Sequence, residues 1–163
     1  MRGPTYFSGR VTIRSSRGHV RIAAFLLVLM TGTAQAVGPY YVATNAAPGG
    51  SGTNWGQAFT NIQQALDIAG DNDEVRLAGH TFGVSSQLQW TNGANVRITG
   101  GWQGIGDPGA NDPATWPTVV RRASATTNRI FFISGVTGTL AKLTVQGGIS
   151  ETPYLGGGLF ISN

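Results

Sequence analysis

Short runs of alternating apolar and polar residues recur along the chain after residue 72. Residues 75–79 (VRLAG) and 96–100 (VRITG) share one order of valine, arginine, aliphatic residue, small residue and glycine, and they begin 21 residues apart. Residues 143–147 (LTVQG) repeat this order loosely, and residues 131–134 (FFIS) match residues 159–162 (LFIS) at a separation of 28 residues. Such alternation is typical of half-buried β-strands. We therefore predict a strand at each segment.

The spacing of these strands indicates how they are arranged. Strands that recur every ~20 to 30 residues, with glycine at the corners and no helix between them, are typical of a β-solenoid. Each strand of a solenoid pairs with its equivalent one turn away, and alternate side chains point inward. We expect Val75 to stack on Val96 and Leu77 on Ile98 in the interior. The alternative is that patterns of five residues match by coincidence.

A glycine ends each of the two best-matched segments. Gly79 and Gly100 follow the predicted strands directly, where a solenoid has to turn its chain. Glycine adopts positive φ without a Cβ clash. We therefore predict that both glycines occupy sharp turns with positive φ.

One stretch of the chain has the period of a helix. Within residues 54–70, Phe59, Ile62, Leu66 and Ala69 are spaced by three or four residues, which places them in one apolar stripe. The residues expected to cap the two ends are Thr53 or Asn54 and Gly70. We expect the helix to lie across the first coil with its stripe inward, where it covers the exposed end of the solenoid.

The first 36 residues have the pattern of a secretory signal peptide. Several arginines precede an apolar run at residues 22–30, and the small-residue site Ala34-Gln35-Ala36 follows it. This order predicts export and cleavage after Ala36, with secretion or cell-surface location and no transmembrane segment in the mature chain. The alternative, an uncleaved anchor, has too short an apolar run, since a bilayer requires about 20 residues.

The charge of the chain comes mainly from this leader. The whole sequence has formal charge +4 and a pI near 10.1, which by itself would suggest a nucleic-acid partner. The chain after residue 36 has six Lys and Arg against seven Asp and Glu, a net charge of −1. We therefore predict no nucleic-acid partner. The sequence has no cysteine, which excludes disulfides and thiolate metal sites.

Two segments in particular resemble a known family. Residues 41–79, with the Gly-rich loop, Gly52-Thr53-Asn54-Trp55, the helix and the strand at 75–79, resemble the amino-terminal cap of secreted proteins of the pectin-lyase-like superfold. Residues 98–120 (Gly-Gly-Trp, Asp-Pro, Pro-Thr-Val-Val) are similar to a run in bacterial members that include polymorphic outer-membrane proteins. Residues 143–148 and 156–160 resemble the coil that follows.

The resemblance implies an all-β fold, a right-handed parallel β-helix with an amino-terminal capping helix. Residues 37–71 would form the strand, loop and capping helix, and residues 72–163 the first coils. It also implies further coils beyond residue 163, so the fold would be truncated at its carboxy-terminal end. We expect the open last coil to support self-association.

The sequence offers one group of candidate ligand contacts. Arg76 and Arg97 are predicted to stack on the outer face, and Trp90 and Trp102 lie near them in sequence. Guanidinium groups and aromatic rings together suit an acidic polysaccharide or a cell-surface glycan. The alternative for this surface is a solvated outer face without a ligand.

The acidic residues and the histidine offer weaker candidates. Asp71, Asp73 and Glu74 suit a calcium site, since hard cations take several oxygen ligands, but a structural turn is favoured. Asp107 and Asp112 lie in a Gly/Pro-rich loop where aspartate commonly closes turns, which is favoured over a catalytic acid pair. His80, the only histidine after residue 36, is predicted to be a turn residue. We predict no catalytic residue, metal site or cofactor.

Two functions from different classes follow from these predictions. The first is a non-catalytic, secreted or cell-surface β-helix segment that acts as a scaffold, adhesin or passenger module and contacts glycans. The second is the amino-terminal part of a polysaccharide lyase or glycoside hydrolase with its active site beyond residue 163. Pectate lyases of this superfold resemble one another in presenting acidic ligands on one sheet, whereas the predicted strands here carry no Asp or Glu. A truncated gene remnant without function is a third possibility.

Overall fold

The computed structural model describes residues 38–123, 126–150 and 157–162. The predicted signal peptide lies outside the described residues, as do residues 151–156. The described strands are β1 Tyr40–Val42, β2 Glu74–Ala78, β3 Thr81–Val84, β4 Leu88–Trp90, β5 Val96–Trp102, β6 Val119–Arg122, β7 Phe131–Ser134, β8 Gly138–Ala141, β9 Thr144–Gln146 and β10 Leu159–Ser162. A 3₁₀ helix spans Trp55–Gln57 and an α-helix, α1, spans Ile62–Leu66.

The strands form three sheets in which every pairing between named strands is parallel. The sheet orders are β1-β2-β5-β8, β3-β6-β9 and β4-β7-β10. The fold is therefore all-β with parallel sheets. No helix in the described part of the chain has the length and apolar character needed to cross a membrane.

The two best-matched segments pair with each other, but their predicted register is wrong by two residues. Val75 lies opposite Ile98, and Glu74 lies opposite Arg97, so Val75 does not stack on Val96. A shift of two residues keeps each side chain on its face of the sheet. Val75, Val96 and Ile98 are all fully buried, as the inward prediction requires.

The other two matches gave opposite results. The match between β7 and β10 is confirmed residue for residue, from Phe131 opposite Leu159 to Ser134 opposite Ser162. The looser match at residues 143–147 is wrong, because β9 pairs with β6 in a different sheet and β8 is the strand that pairs with β5. Alternation identified β9 as a strand without identifying its sheet.

The prediction of positive φ at Gly79 and Gly100 is also wrong. Neither glycine is among the described residues with positive φ, whereas the adjacent Gly101 has φ of 79°. Both glycines are required for space: a Cβ at Gly79 would lie 2.4 Å from the Trp116 Cβ, and one at Gly100 would lie 2.4 Å from the Lys142 carbonyl oxygen. No real Cβ approaches so closely without a shift of the surrounding atoms.

The predicted helix is shorter than its sequence pattern. It begins at Ile62 and not near residue 54, because the Asn61 side chain accepts from the Gln64 N–H (3.1 Å) while the Gln64 side chain accepts from the Asn61 N–H (3.3 Å). This reciprocal capping box starts the helix. Asn54 instead caps the 3₁₀ helix, where it accepts from the Gln57 N–H at 3.0 Å.

The predicted apolar stripe is buried despite the shorter helix. Its four residues, at positions 59, 62, 66 and 69, are between 0% and 8% exposed and belong to the main core. The helix contacts β1, β2 and β4. Gln63 also pairs with the free edge of β4: its side-chain amide donates to the Gln89 carbonyl oxygen (3.0 Å) and accepts from the Gln89 N–H (2.8 Å).

One polar side chain ties two of the sheets together inside the fold. Thr118, 2% exposed, lies directly before β6. Its hydroxyl donates to the Ala78 carbonyl oxygen (2.9 Å) and accepts from the Gly101 N–H (2.9 Å). Because both partners lie in the neighbouring sheet, this hydroxyl satisfies two backbone groups where that sheet bends away from regular pairing.

Candidate functional site

Arg76, a predicted glycan contact, is held on all sides by its own chain. Its Nε and one terminal nitrogen donate to Glu74 Oε2 (2.9 and 2.7 Å), and its other terminal nitrogen donates to the Tyr41 hydroxyl (3.1 Å). The guanidinium carbon lies 4.5 Å from the centre of the Trp102 ring. Arg76 therefore covers an aromatic ring and neutralises a carboxylate of its own strand.

Trp102 belongs to a second, smaller apolar cluster. The cluster consists of Tyr41, Ala43, Trp55, Ala58, Ala78 and Trp102, separate from the main core. The Tyr41 and Trp55 rings meet edge to face at 4.7 Å, and Trp55 Nε1 donates to the Pro108 carbonyl oxygen at 2.8 Å. Trp102 is 9% exposed. The cluster packs the cap and the loop after β5 against the sheet, which leaves little of the Trp102 ring for a ligand.

The remaining two predicted contacts have opposite environments. Trp90 is 3% exposed and lies in the main core, so the prediction that its ring faces a glycan needs correction. It alternates with the exposed Gln89 in β4 and points inward with Leu88. Arg97 is exposed, opposite Glu74 in β2 and Thr139 in β8. The structure thus brings Arg76 and Trp102 together and leaves Arg97 as the predicted contact that faces solvent.

The three acidic residues near β2 each have a protein partner. Asp73 is 4% exposed and accepts from the Gly38 N–H (2.7 Å) and the Gly70 N–H (2.8 Å). Asp71 accepts from the Ala94 N–H at 2.8 Å. Glu74 forms its ion pair within β2, so this strand does contain an acid, in contrast to the prediction. The described residues contain no group of three metal-ligating side chains.

Asp73 also acts on a neighbouring phenol. Burial, and to a lesser degree the negative charge of Asp73, raises the pKa of Tyr40 above its ordinary value. Both causes disfavour the phenolate. Tyr40 is therefore a neutral packing residue at physiological pH.

The loop after β5 is closed by an aspartate. Asp112 accepts from the Thr115 hydroxyl (2.6 Å) and the Ala114 N–H (3.0 Å). The hydrogen bond from Thr115, followed by that from the Ala114 backbone, lowers the pKa of Asp112. A carboxyl with a lowered pKa does not suit a general acid at neutral pH. This geometry favours the predicted turn role of Asp112.

His80 also has a local partner. Its Nδ1 accepts from the Thr44 N–H at 3.2 Å and lies 3.1 Å from the Thr44 hydroxyl. His80 lies directly before β3, and its backbone carbonyl accepts from the Val119 N–H at 3.0 Å. His80 therefore joins the loop after β1 to the turn between β2 and β3.

A groove that the sequence did not predict lies where the second sheet gives way to the third. It has a volume of about 590 Å³. Its lining comes from the loops that follow β3, β6 and β9: Ser85, Ser86, Gln87, Thr126, Thr127, Asn128, Arg129, Ile149 and Ser150. Because β4, β7 and β10 pair in sequence, these loops lie one above another along one corner of the fold.

Interactions within the chain fix two of these loops relative to each other. Arg122 donates from Nε to the Gly147 carbonyl oxygen at 2.7 Å, and it also bonds the Thr126 carbonyl oxygen. The Ile149 N–H donates to the Asn128 carbonyl oxygen at 3.1 Å. These bonds join the loop after β6 to the loop after β9.

The groove could have been found only with the correct strand register. Ser85 to Gln87 precede β4, and Thr127 to Arg129 lie shortly before β7, so polar tripeptides lead into two strands that pair with each other. The sequence match joins β7 to β10 but does not extend to β4. Without β4 the two tripeptides had no reason to be neighbours.

Comparison with known proteins provides no further assignment. No protein-family model, no curated protein and no solved structure matches the chain.

Proposed function

We propose that the chain forms turns of a right-handed parallel β-helix that acts outside the cytoplasm as a non-catalytic, glycan-contacting scaffold or adhesin module. One observation carries the proposal: from β2 onward, successive strands enter the three sheets in fixed rotation, while β1 pairs with β2 at the edge of the first sheet. The turns are β2-β3-β4, β5-β6-β7 and β8-β9-β10, and each sheet receives every third strand. Parallel strands joined by crossovers are right-handed in about 98% of cases, which favours the right-handed form.

The main core supports a closed coil. One apolar cluster contains Val75 from the first sheet, Phe82 from the second and Phe131 from the third. A single interior shared by three sheets is what a three-sided solenoid requires. The predicted signal peptide and the resemblance to secreted β-helix proteins support a location outside the cytoplasm.

The acidic side chains support a scaffold more than an enzyme. Asp73, Glu74 and Asp112 are engaged in hydrogen bonds that hold turns, the cap or a strand neighbour. A catalytic acid or base has to reach the substrate and requires a pKa suited to proton transfer. These carboxylates are instead used to stabilise the fold.

Binding and cleavage of polysaccharides test the proposal together. The full chain is incubated with a panel of neutral and uronic acid polysaccharides. Binding is measured by co-sedimentation, and cleavage by new reducing ends and by the ultraviolet absorbance of unsaturated products. We expect binding to at least one polysaccharide without cleavage.

Two results would contradict the proposal. Cleavage of any polysaccharide would favour the lyase or hydrolase alternative, provided that the active fraction co-purifies with the chain. Failure to bind any member of the panel would remove the glycan from the proposed function. The control is the same chain after heat denaturation, which distinguishes binding by the fold from adhesion of an unfolded polypeptide.

A further inference from the structure

We propose that the corner groove lined by Ser85, Asn128, Arg129 and Ser150 is the saccharide-binding site of this protein. The inference rests on the proposed function and assigns it a site that differs from the surface around Arg97. The ligand class is a short run of hydroxyl-bearing pyranose rings, neutral or carboxylated.

The shape of the groove suits an extended ligand. Its volume of about 590 Å³ is within the range of ~300–1,000 Å³ found for small-molecule sites. Three stacked loops line it, and since paired strands are ~4.8 Å apart, it extends over roughly 10 Å. That length accommodates a disaccharide unit lying parallel to the stack.

The lining chemistry favours a hydroxyl-rich ligand over an apolar one. Five of the lining residues carry hydroxyl groups and two carry amides, whereas Ile149 is the single aliphatic residue. Hydroxyls and amides both donate and accept hydrogen bonds, as do the hydroxyls of a sugar. Ile149 is 41% exposed and offers a contact for the apolar face of a ring.

One of the lining residues has a buried acceptor without a partner among the described residues. Asn128 Nδ2 donates to the Arg129 carbonyl oxygen at 2.7 Å, which fixes the orientation of the amide and identifies Oδ1 as the acceptor. Asn128 Oδ1 is buried and accepts no hydrogen bond from the part of the chain that the structure describes. Buried polar atoms are almost always paired. A small turn of the Asn128 side chain toward the groove would let a ligand hydroxyl supply the missing donor.

The groove also has a positioned cation. The Arg129 guanidinium lies 4.6 Å from the centre of the Phe160 ring and donates to the Ser150 hydroxyl at 3.2 Å. Phe160 in turn stacks on Phe132 at 5.7 Å. An arginine supported by a ring is pre-organised for hydrogen bonding. It can donate to a sugar hydroxyl or to a sugar carboxylate.

The experiment is a titration of the ¹⁵N-labelled full chain with cellotetraose and, separately, with tetragalacturonate, followed by backbone amide shifts. These probes share pyranose hydroxyls and differ in the carboxylates. We expect the largest shifts at residues 85–87, 126–129 and 149–150. The variants Asn128→Ala and Ser86→Trp, the second at an exposed position, should each weaken binding at least tenfold. The variant Arg97→Gln tests the alternative surface, and the control Arg121→Gln, at an exposed arginine outside both surfaces, should leave affinity unchanged.

The outcomes separate this inference from the proposed function. Shifts in the groove that both variants reduce would support the inference, and the more responsive probe would show whether the carboxylate contributes. Saccharide binding that spares the groove amides, or that is lost only in Arg97→Gln, would overturn the inference and leave the proposed function standing. Absence of any shift with either probe, together with failure of the polysaccharide panel, would overturn both. Far-ultraviolet circular dichroism of each variant checks that its fold is intact.

Discussion

The strands β7 and β10 have nearly the same sequence and the same alternation, but their inward side chains differ in burial. Phe131 and Ile133 in β7 are 0% and 8% exposed, whereas their Cα partners Leu159 and Ile161 in β10 are 38% and 65% exposed. β7 lies between β4 and β10, and β10 is at the edge of the sheet. In this fold an apolar side chain becomes buried when a neighbouring element covers it. An apolar residue at that position is necessary for burial but does not ensure it.

The opposite edge of the same sheet shows that another element can replace a strand. β4 is also an edge strand, but Leu88 and Trp90 are 5% and 3% exposed. The helix α1 contacts β4, and Gln63 bonds both backbone groups of Gln89. A side-chain amide thus takes the place of a neighbouring peptide group. This protects the edge in the way that sheet proteins require.

The largest expected effect is a difference in the free energy of unfolding when isoleucine is replaced by alanine at a buried position and at its exposed partner position. Ile133→Ala should lower the free energy of unfolding by about 2–5 kcal/mol, the usual cost of emptying a buried isoleucine site. Ile161→Ala, at the partner position in β10, should change it by less than about 0.5 kcal/mol, as at other surface sites. Urea denaturation of both variants measures the difference. Equal losses would mean that β10 is as well covered as β7.

This comparison also explains how far the sequence could predict the fold. Alternation identified β2, β5, β7, β9 and β10 because each has one apolar face. It could not assign β9 to a sheet, since residues 103–118 separate β5 from β6 while only two residues separate β2 from β3. The unequal connections break the simple period. A match of five residues does not reveal how many residues the connections between the strands contain.

The environments of Trp90 and Arg76 differ from the prediction for a related reason. Leu88 and Trp90 are buried on either side of the exposed Gln89, whereas nearness in sequence to Arg97 does not indicate which face of the strand Trp90 occupies. The engagement of Arg76 depended on Tyr41 and Trp102, which only the pairing of β1, β2 and β5 brings together. The groove depended on three loops far apart in sequence. The local sequence pattern predicts where strands lie and which of their side chains point inward. A site built from several loops can be predicted only when the pairing register of the strands is known.

The next effect concerns two glycines in strands with different neighbours. Gly100→Ala places a methyl group 2.4 Å from the Lys142 carbonyl oxygen, and since a backbone atom cannot move aside, we expect a loss of about 3 kcal/mol, at the upper end of ordinary overpacking. Gly83→Ala meets nothing within 4 Å and should leave stability unchanged or raise it by up to about 1 kcal/mol. Thermal and urea unfolding of the pair measure both changes. A neutral Gly100→Ala would show that Gly100 and the Lys142 backbone are not in close contact.

The smallest effect compares two buried threonines that differ in their hydrogen bonds. Thr118 and Thr99 are 2% and 6% exposed, but the Thr118 hydroxyl bonds two backbone groups, whereas the buried Thr99 hydroxyl has no partner among the described residues. Thr118→Val leaves a buried N–H and a carbonyl without that bond and should cost about 2 kcal/mol. Thr99→Val removes an unpaired polar atom and should be neutral or stabilising, because burial of an unbonded hydroxyl is itself unfavourable. Equilibrium unfolding of both variants, with amide exchange at Gly101 as a local readout, distinguishes these results. If both substitutions cost the same, side-chain shape and not the hydroxyl would hold the two sheets together at this corner.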